Sequence, residues 1–128
     1  MPIQVKTDLQ PNRPARHPFV KETRFGDWFL RTDTWNTHVL CRALNDLQNI
    51  LPDKAKTFSK ILDVGCGFGH SFSALAQRFS PDLIVGVDAD PDLDVRALAA
   101  ANSAPCAVSL QLDNAAQMRL PDNEFDMV

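Results

Sequence analysis

The chain has 128 residues, of which 45% are apolar and 23% charged, so it is long enough for one globular domain and is not disordered as a whole. Its net charge of −3 argues against a surface dedicated to nucleic acid, although it does not exclude an RNA substrate. The longest apolar runs are far shorter than the roughly 20 residues that a membrane span needs, and the first residues lack the apolar core of a signal peptide. The three cysteines show no CxxC or zinc spacing, which predicts reduced thiols in a cytoplasmic protein without a metal site.

The N-terminal third divides into an arm and a helix. Residues 1–24 contain four prolines, scattered charges and few apolar residues, which predicts an extended arm without a core of its own. We expect the domain itself to comprise residues 25–128. From Trp35, apolar residues recur at helical spacing, which predicts a helix that begins near Asp33 or Thr34 and ends at Pro52.

Apolar segments alternate with helical patterns along the rest of the chain. Residues 60–64, 82–88 and 106–113 are typical of buried strands, and residues 124–128 open a fourth. The first intervening helix presents one apolar face, made of Phe72, Leu75, Ala76 and Phe79. The second is expected to begin at Asp90 and Pro91, to end near residue 102 and to bury Val95, Leu98 and Ala99.

This order predicts an α/β fold, a doubly wound parallel sheet with helices on both faces and right-handed crossovers. The chain stops within the apparent fourth strand, at Val128. We therefore expect it to be the N-terminal part of a longer protein. The alternative is a short edge strand that closes a small domain.

The segment SKILDVGCGFGHSF, residues 59–72, places Gly65, Gly67 and Gly69 directly after the first predicted strand. Glycines there let the backbone approach a ligand, and ligands of a doubly wound sheet bind at the carboxyl ends of its strands. The dinucleotide fingerprint G-x-G-x-x-G is incomplete, because His70 stands where its third glycine belongs. A P-loop is excluded, because no G-K-[ST] follows. The turn alone leaves its ligand open.

Three segments in register resemble the class I, Rossmann-like S-adenosylmethionine (SAM) methyltransferases. ILDVGCGFG resembles the family's first motif, hydrophobic-hydrophobic-D/E-hydrophobic-G-x-G-x-G, and VGVDADPDL resembles its second strand. LDNAAQMRLPDNEFDMV resembles a segment of the type 11 methyltransferases that has the pattern D-A-x-x-L-P-x-x-D-x-x-F-D-hydrophobic-V. The resemblance covers about residues 34–128 and implies a Rossmann-like enzyme with SAM as its cofactor.

The resemblance also implies a set of cofactor contacts. Asp63 would accept from the amino group of SAM and Asp88 from both ribose hydroxyls, which suits a carboxylate with two acceptor oxygens. Asn114 falls in the D-A position that contacts the adenine, but Asp113 stands one residue earlier, and the choice between them stays open. The full expected set is Asp63, Gly65, Cys66, Gly67, Gly69, Asp88, Ala89, Asp113, Asn114 and Ala115. The alternative roles are a cap on the turn's own amides for Asp63 and an Asx-turn or helix cap for Asp88.

No catalytic residue is predicted, and His70 is expected to face solvent or cap its helix. Phe25, Trp28, Phe29 and Trp35 are expected to pack against the sheet edge, or else to form a lid. The acceptor pocket and any general base should lie past Val128 or in the N-terminal segment. We expect a small-molecule acceptor and no membrane partner, and nothing in the sequence indicates a nucleic-acid partner. The sequence does not indicate the oligomeric state.

Two other classes of protein remain as alternatives to a methyltransferase. One is a nicotinamide-dinucleotide protein on a related sheet. The other is a non-catalytic module that keeps the SAM fold as a scaffold for a partner, since an open parallel sheet has edges available for pairing.

Overall fold

The computed structural model describes residues 20–51 and 57–128, which belong to two compact units. In the first unit, helix α1 is Arg24–Leu30, and a π-helical segment, Thr34–Leu40, runs directly into helix α2, Cys41–Ile50. The helix predicted from Trp35 is therefore confirmed in its described part. Most of the predicted arm, residues 1–19, and the predicted helix end at Pro52 lie outside the described residues.

Helix α1 precedes the first helix that the sequence predicts. It begins at a local signal, because the Oγ1 of Thr23 accepts a hydrogen bond from the Gly26 amide at 3.0 Å. The rings of Phe25 and Trp28 pair with a centroid separation of 5.6 Å and remain 71% and 60% exposed. Neither of these two aromatic side chains is part of a buried core.

The second unit is built on a parallel sheet. Its strands are β1, Lys60–Val64, β2, Leu83–Asp88, and β3, Ala107–Leu112, and they lie in the order β1-β2-β3. On the free edge of β1, Met127 pairs in parallel with Ile61, and the Leu62 amide donates to the Met127 carbonyl at 2.9 Å. The expected fourth strand thus opens beside β1, and the spatial order of the four segments becomes 4-1-2-3.

Helices α3, His70–Phe79, and α4, Leu93–Ser103, connect the strands and pack against each other on one face of the sheet. This face carries the largest fully buried side chains, which include Phe72, Ile61, Ile84, Val108 and Leu110. Within residues 57–128, loop side chains cover the opposite face, where Met118, Leu120 and Phe125 pack on Leu62, Val85 and Val87. Both faces of the sheet are therefore shielded from water, as the continuous apolar strands predict.

The inward face of α4 differs from the sequence prediction. Ala97 and Ala101 are fully buried, whereas Val95 is 77% exposed and Leu98 39% exposed. The helix begins at Leu93, not at Pro91, and the buried side chains on its inward side are Leu93, Ala97 and Ala101. The expectation that Val95, Leu98 and Ala99 face the core is wrong: all three are exposed, because the helix packs closely through the small side chains of Ala97 and Ala101 on another side.

Candidate cofactor site at the carboxyl end of the sheet

The order of the strands reverses beside β1, since the chain runs outward to β2 and β3 on one side and returns to residues 126–128 on the other. Ligands of open α/β sheets bind at the carboxyl ends of the strands next to such a reversal. The turn that follows β1 at this point contains three glycines. The topology therefore places the glycine turn, residues 65–69, at the expected ligand position.

The three glycines of the turn all have left-handed backbone conformations, with φ of 77° at Gly65, 53° at Gly67 and 74° at Gly69. A Cβ added at Gly65 or Gly67 would meet no atom within 4 Å, so both backbone positions open onto free space. A Cβ at Gly69 would lie 2.5 Å from the Phe72 ring and 3.0 Å from the Ala100 Cβ. The first two glycines leave room for a ligand, and the third allows α3 to pack against α4.

Hydrogen bonds tie the glycine turn to the end of β2. The amides of Gly65 and Cys66 both donate to the Val87 carbonyl, at 2.7 Å and 3.1 Å. The Gly67 amide donates to the Oδ2 of Asp88 at 2.9 Å. The carboxyl ends of β1 and β2 are thus joined into one recess.

Asp63 lies at the carboxyl end of β1 and accepts a hydrogen bond from the hydroxyl of Ser71 on α3. Burial raises the pKa of Asp63, the Ser71 hydrogen bond lowers it, and the charge of Asp88 raises it further, with a net increase above the usual 3.8. The hydrogen-bond partner of the Asp63 carboxylate is therefore the Ser71 hydroxyl on α3. The carboxylate that accepts from an amide of the glycine turn is that of Asp88. A cationic group placed here would favour the ionised form of Asp63.

Asp88, the last residue of β2, uses both carboxylate oxygens. Oδ2 accepts from the Gly67 amide and Oδ1 from the Asp90 amide, each at 2.9 Å. The second bond forms the Asx-turn that was the structural alternative for this residue. A carboxylate offers about four lone-pair sites, so these two bonds leave acceptor capacity for ligand hydroxyls.

The thiol of Cys66 is buried under the glycine turn. Burial raises its pKa, and the negative charges of Asp63 and Asp88 raise it further, so the neutral thiol is strongly favoured. A Cβ built on Gly86 would lie 3.0 Å from its sulfur, which shows how tightly Cys66 packs on β2. The side chain is a packing element and not a nucleophile, and its contribution to a ligand would come from its backbone.

The hydrogen bonds of the loop after β3 distinguish Asp113 from Asn114, the two candidates for an adenine contact. The Oδ1 of Asp113 accepts from the Asn114 amide at 2.8 Å, and its Oδ2 accepts from the Arg119 amide at 2.9 Å and from the Gln111 side chain at 3.1 Å. Burial alone would raise the pKa of Asp113, but these hydrogen bonds and the Arg119 charge hold it below its usual value. Asn114 uses its Oδ1 for one local bond, from the Ala116 amide at 2.9 Å. Asp113 is thus committed to the loop, and Asn114 is the less engaged of the two.

The other candidates have clear positions. Ala89 and Ala115 are exposed beside Asp88 and Asn114. His70 is half-buried as the first residue of α3, with its ring centroid 5.7 Å from that of Phe68. Asp126 lies at the opposite end of β1, where its Oδ2 accepts from the Lys60 amide at 2.9 Å, so it fixes the start of the strands.

Sequence reasoning did not identify Ser71 or the pair formed by Asp90 and Arg96 as parts of this region. Ser71 lies two residues after the last glycine of the turn, and its hydroxyl reaches back to Asp63. The sequence predicts that a helix begins at Asp90, but the carboxylate of Asp90 accepts from the Asp92 amide and pairs with Arg96 on α4. The available signal in the sequence was Asp90, two residues after the end of β2, followed six positions later by Arg96.

Taken together, the site offers two open glycine positions between two carboxylates, Asp63 and Asp88. Residues 61–128, slightly over half of the chain, match the family model for a methyltransferase domain. The chain belongs to this methyltransferase domain family. The resemblance inferred from the three motifs is therefore confirmed.

Relatives of this methyltransferase domain include plant enzymes. The chain is 30% identical to phosphoethanolamine N-methyltransferase 3 of Arabidopsis thaliana over 107 residues, which make up 84% of this chain and 20% of that protein. It is 37% identical to the chloroplastic tocopherol O-methyltransferase of the same plant over 78 residues, 59% of this chain and 22% of that protein. The chain thus spans about a fifth of the length of these relatives.

Solved structures confirm the Rossmann-like fold. A Pyrococcus horikoshii protein aligns with a TM-score of 0.56 at 23% identity, over 77% of this chain and 40% of that one. The SAM-bound structure of an amino pentose methyltransferase from Micromonospora echinaspora aligns with a TM-score of 0.54 at 20% identity, over 81% of this chain and 40% of that one. In the described part of the methyltransferase domain, no helix combines the length and apolar character needed to cross a membrane.

Proposed function

We propose that the chain is the SAM-binding part of a methyltransferase that acts on a small-molecule acceptor in the cytoplasm. The observation that carries this proposal is the glycine turn, whose open Gly65 and Gly67 positions lie between the carboxylates of Asp63 and Asp88. SAM combines a sulfonium cation, an α-amino group, an α-carboxylate and a ribose diol but has no phosphate, so its site needs carboxylates and close backbone approach more than a cradle for anions. The bound cofactor supplies the methyl group.

Each recess residue has a role in this proposal. Ionised Asp63 accepts from the amino group, directly or through water, while Ser71 holds its carboxylate in place. Asp88 accepts from the ribose hydroxyls with the lone pairs that its two backbone bonds leave available. The backbone of Gly65, Cys66, Gly67 and Gly69 lines the approach of the cofactor, and Ala89 lies beside the ribose.

Asn114, with the adjacent Ala115, is the proposed contact for the adenine. The hydrogen bonds from Arg119, Asn114 and Gln111 support this choice, because together they take most of the roughly four lone-pair sites of Asp113, whereas the Asn114 side chain makes one local bond. Asn114 fills the D-A position of the family pattern, and a carboxamide can both donate to and accept from the adenine edge. Asp113 then has the structural role of holding the loop that presents Asn114.

The acceptor class is supported by the relatives. Their names specify phosphoethanolamine and tocopherol, which are both small molecules, and one is an N-methyltransferase and the other an O-methyltransferase. A small acceptor is consistent with both names.

The direct test is calorimetric titration of the full chain with SAM and S-adenosylhomocysteine (SAH), alongside a fluorescence titration with NADH. We expect both sulfur compounds to bind with 1:1 stoichiometry and NADH not to compete. Transfer of a labelled methyl group from SAM into an extract fraction of small molecules would then establish the activity. Binding of NADH in preference to SAH would contradict the proposal.

A further inference from the structure

Three side chains form a brace between the glycine turn and the turn after β2. Phe68 belongs to the glycine turn, Asp90 to the turn after β2, and Arg96 to α4. The guanidinium carbon of Arg96 lies 4.1 Å from the centroid of the Phe68 ring, well within cation–π distance. A terminal nitrogen of the same guanidinium pairs with the Oδ2 of Asp90.

The brace is largely removed from water. The side chain of Asp90 is 8% exposed and that of Arg96 is 20% exposed. Asp90 is held from a second direction, because its Oδ1 accepts from the Asp92 amide at 2.9 Å. One guanidinium group thus contacts both the ring and the carboxylate, for which the compact ammonium group of lysine is less suited.

The same two turns are also joined through Asp88. Its carboxylate accepts from the Gly67 amide, next to Phe68, and from the Asp90 amide. The brace therefore links the same two turns as the hydrogen bonds of Asp88. Phe68 is the chain neighbour of Gly67, and Asp90 takes part in both sets of contacts. Movement of Phe68 relative to Asp90 would displace the Gly67 backbone from Asp88.

We propose that Arg96 is a positioning residue for cofactor binding, which holds Phe68 and Asp90 together and so fixes the glycine turn relative to Asp88. This inference rests on the proposed function, because Asp88 and the glycine turn are the two parts of the recess that SAM would bridge. Arg96 does not touch the cofactor and acts through Phe68 and Asp90.

The test is a double-mutant cycle on the full chain, with Arg96→Lys, Phe68→Leu and the double variant. Arg96→Lys keeps the positive charge and removes the guanidinium group that lies over Phe68, and Phe68→Leu removes the ring. We expect each single variant to bind SAH about 3- to 30-fold more weakly, as for loss of a partly desolvated cation–π contact. The double variant should lie within about twofold of the weaker single variant, because the two changes remove one shared contact.

The affinity is measured by calorimetry well below each thermal midpoint, where a loss of global stability alone leaves the dissociation constant unchanged. Arg78→Lys is the matched control, since Arg78 lies in the last turn of α3, far along the helix from the glycine turn, and should bind SAH as the parent does. If one single variant fails to fold, the other carries the test.

Variants that melt at a lower temperature but bind SAH like the parent would overturn the brace as a positioning device, and so would additive losses in the double variant. Failure of the parent chain to bind SAH would instead overturn the proposed function, and the inference with it.

Discussion

At the scale of single residues, the proposed binding role of Asp63 conflicts with its effect on stability. Its carboxyl is buried at the end of β1, and burial together with the charge of Asp88 raises its pKa in spite of the hydrogen bond from Ser71. An acid whose pKa is higher in the folded protein than in the unfolded chain destabilises the fold whenever it is ionised. The cost is absent below the unfolded pKa and fully present above the folded one. A cationic ligand beside Asp63 would offset this cost.

Asp63→Asn tests that conflict, because asparagine keeps an acceptor for Ser71 and removes the charge. We expect the ligand-free variant to have a higher free energy of unfolding than the parent at neutral pH, and the gain to shrink as the pH falls towards about 4. Its affinity for SAM should fall by about tenfold or more, as for loss of a charge-assisted hydrogen bond. Urea unfolding across pH, paired with calorimetry, measures both effects. A variant that is less stable than the parent at neutral pH would refute the destabilising role of the charge.

At the scale of elements, helix α4 shows that small residues set the packing distance. Ala97 and Ala101 are fully buried on its inward side, and the Ala100 Cβ lies where a Cβ on Gly69 would come within 3.0 Å. The larger apolar residue Val95 points outward. Arg96 of the same helix lies over the Phe68 ring of the glycine turn.

A matched pair of substitutions on α4 tests this packing. Ala97→Leu should lower the free energy of unfolding by about 1–3 kcal/mol, because the extra methylenes have no space on the inward side. Val95→Ser should change it by no more than about 0.5 kcal/mol, as is usual for an exposed helix position. Chemical denaturation of both variants measures the difference. Equal effects of the two substitutions would mean that the helix packs through the other face.

The elements differ in how far the sequence predicted them. β1 was predicted at its observed bounds and β2 and β3 to within one residue at each end, because buried parallel strands are continuous apolar runs between turn signals. The inward face of α4 was predicted wrongly, because the spacing selected Val95, Leu98 and Ala99, and hydrophobic spacing contains no information on how closely a helix packs. Asp63, Asp88 and the glycines were predicted from motif order, whereas the contacts of Ser71 and Arg96 depend on tertiary packing. The roles of these residues toward a cofactor, and the division into an arm and a domain of residues 25–128, stay predictions.

At the scale of the whole molecule, the position of the proposed cofactor site depends on the reversal of strand order. The parallel pairing of Met127 with Ile61 makes β1 an inner strand, so the glycine turn opens at the switch point and not at a sheet edge. Asp126 secures this pairing at the far end of β1 through the Lys60 amide. The methyltransferase domain family and the Rossmann-like neighbours agree with that topology.

Titration of SAH into the full chain and into its Asp88→Ala variant tests the central claim most directly. Asp82→Ala is the matched control, because Asp82 precedes β2 at its other end and contacts Ser59 away from the recess. We predict tight binding by the parent and by the control, and about 10- to 100-fold weaker binding by Asp88→Ala, from loss of charge-assisted hydrogen bonds to the ribose. Equal SAH affinity in the parent and in Asp88→Ala would contradict the placement of the cofactor at the carboxyl ends of β1 and β2.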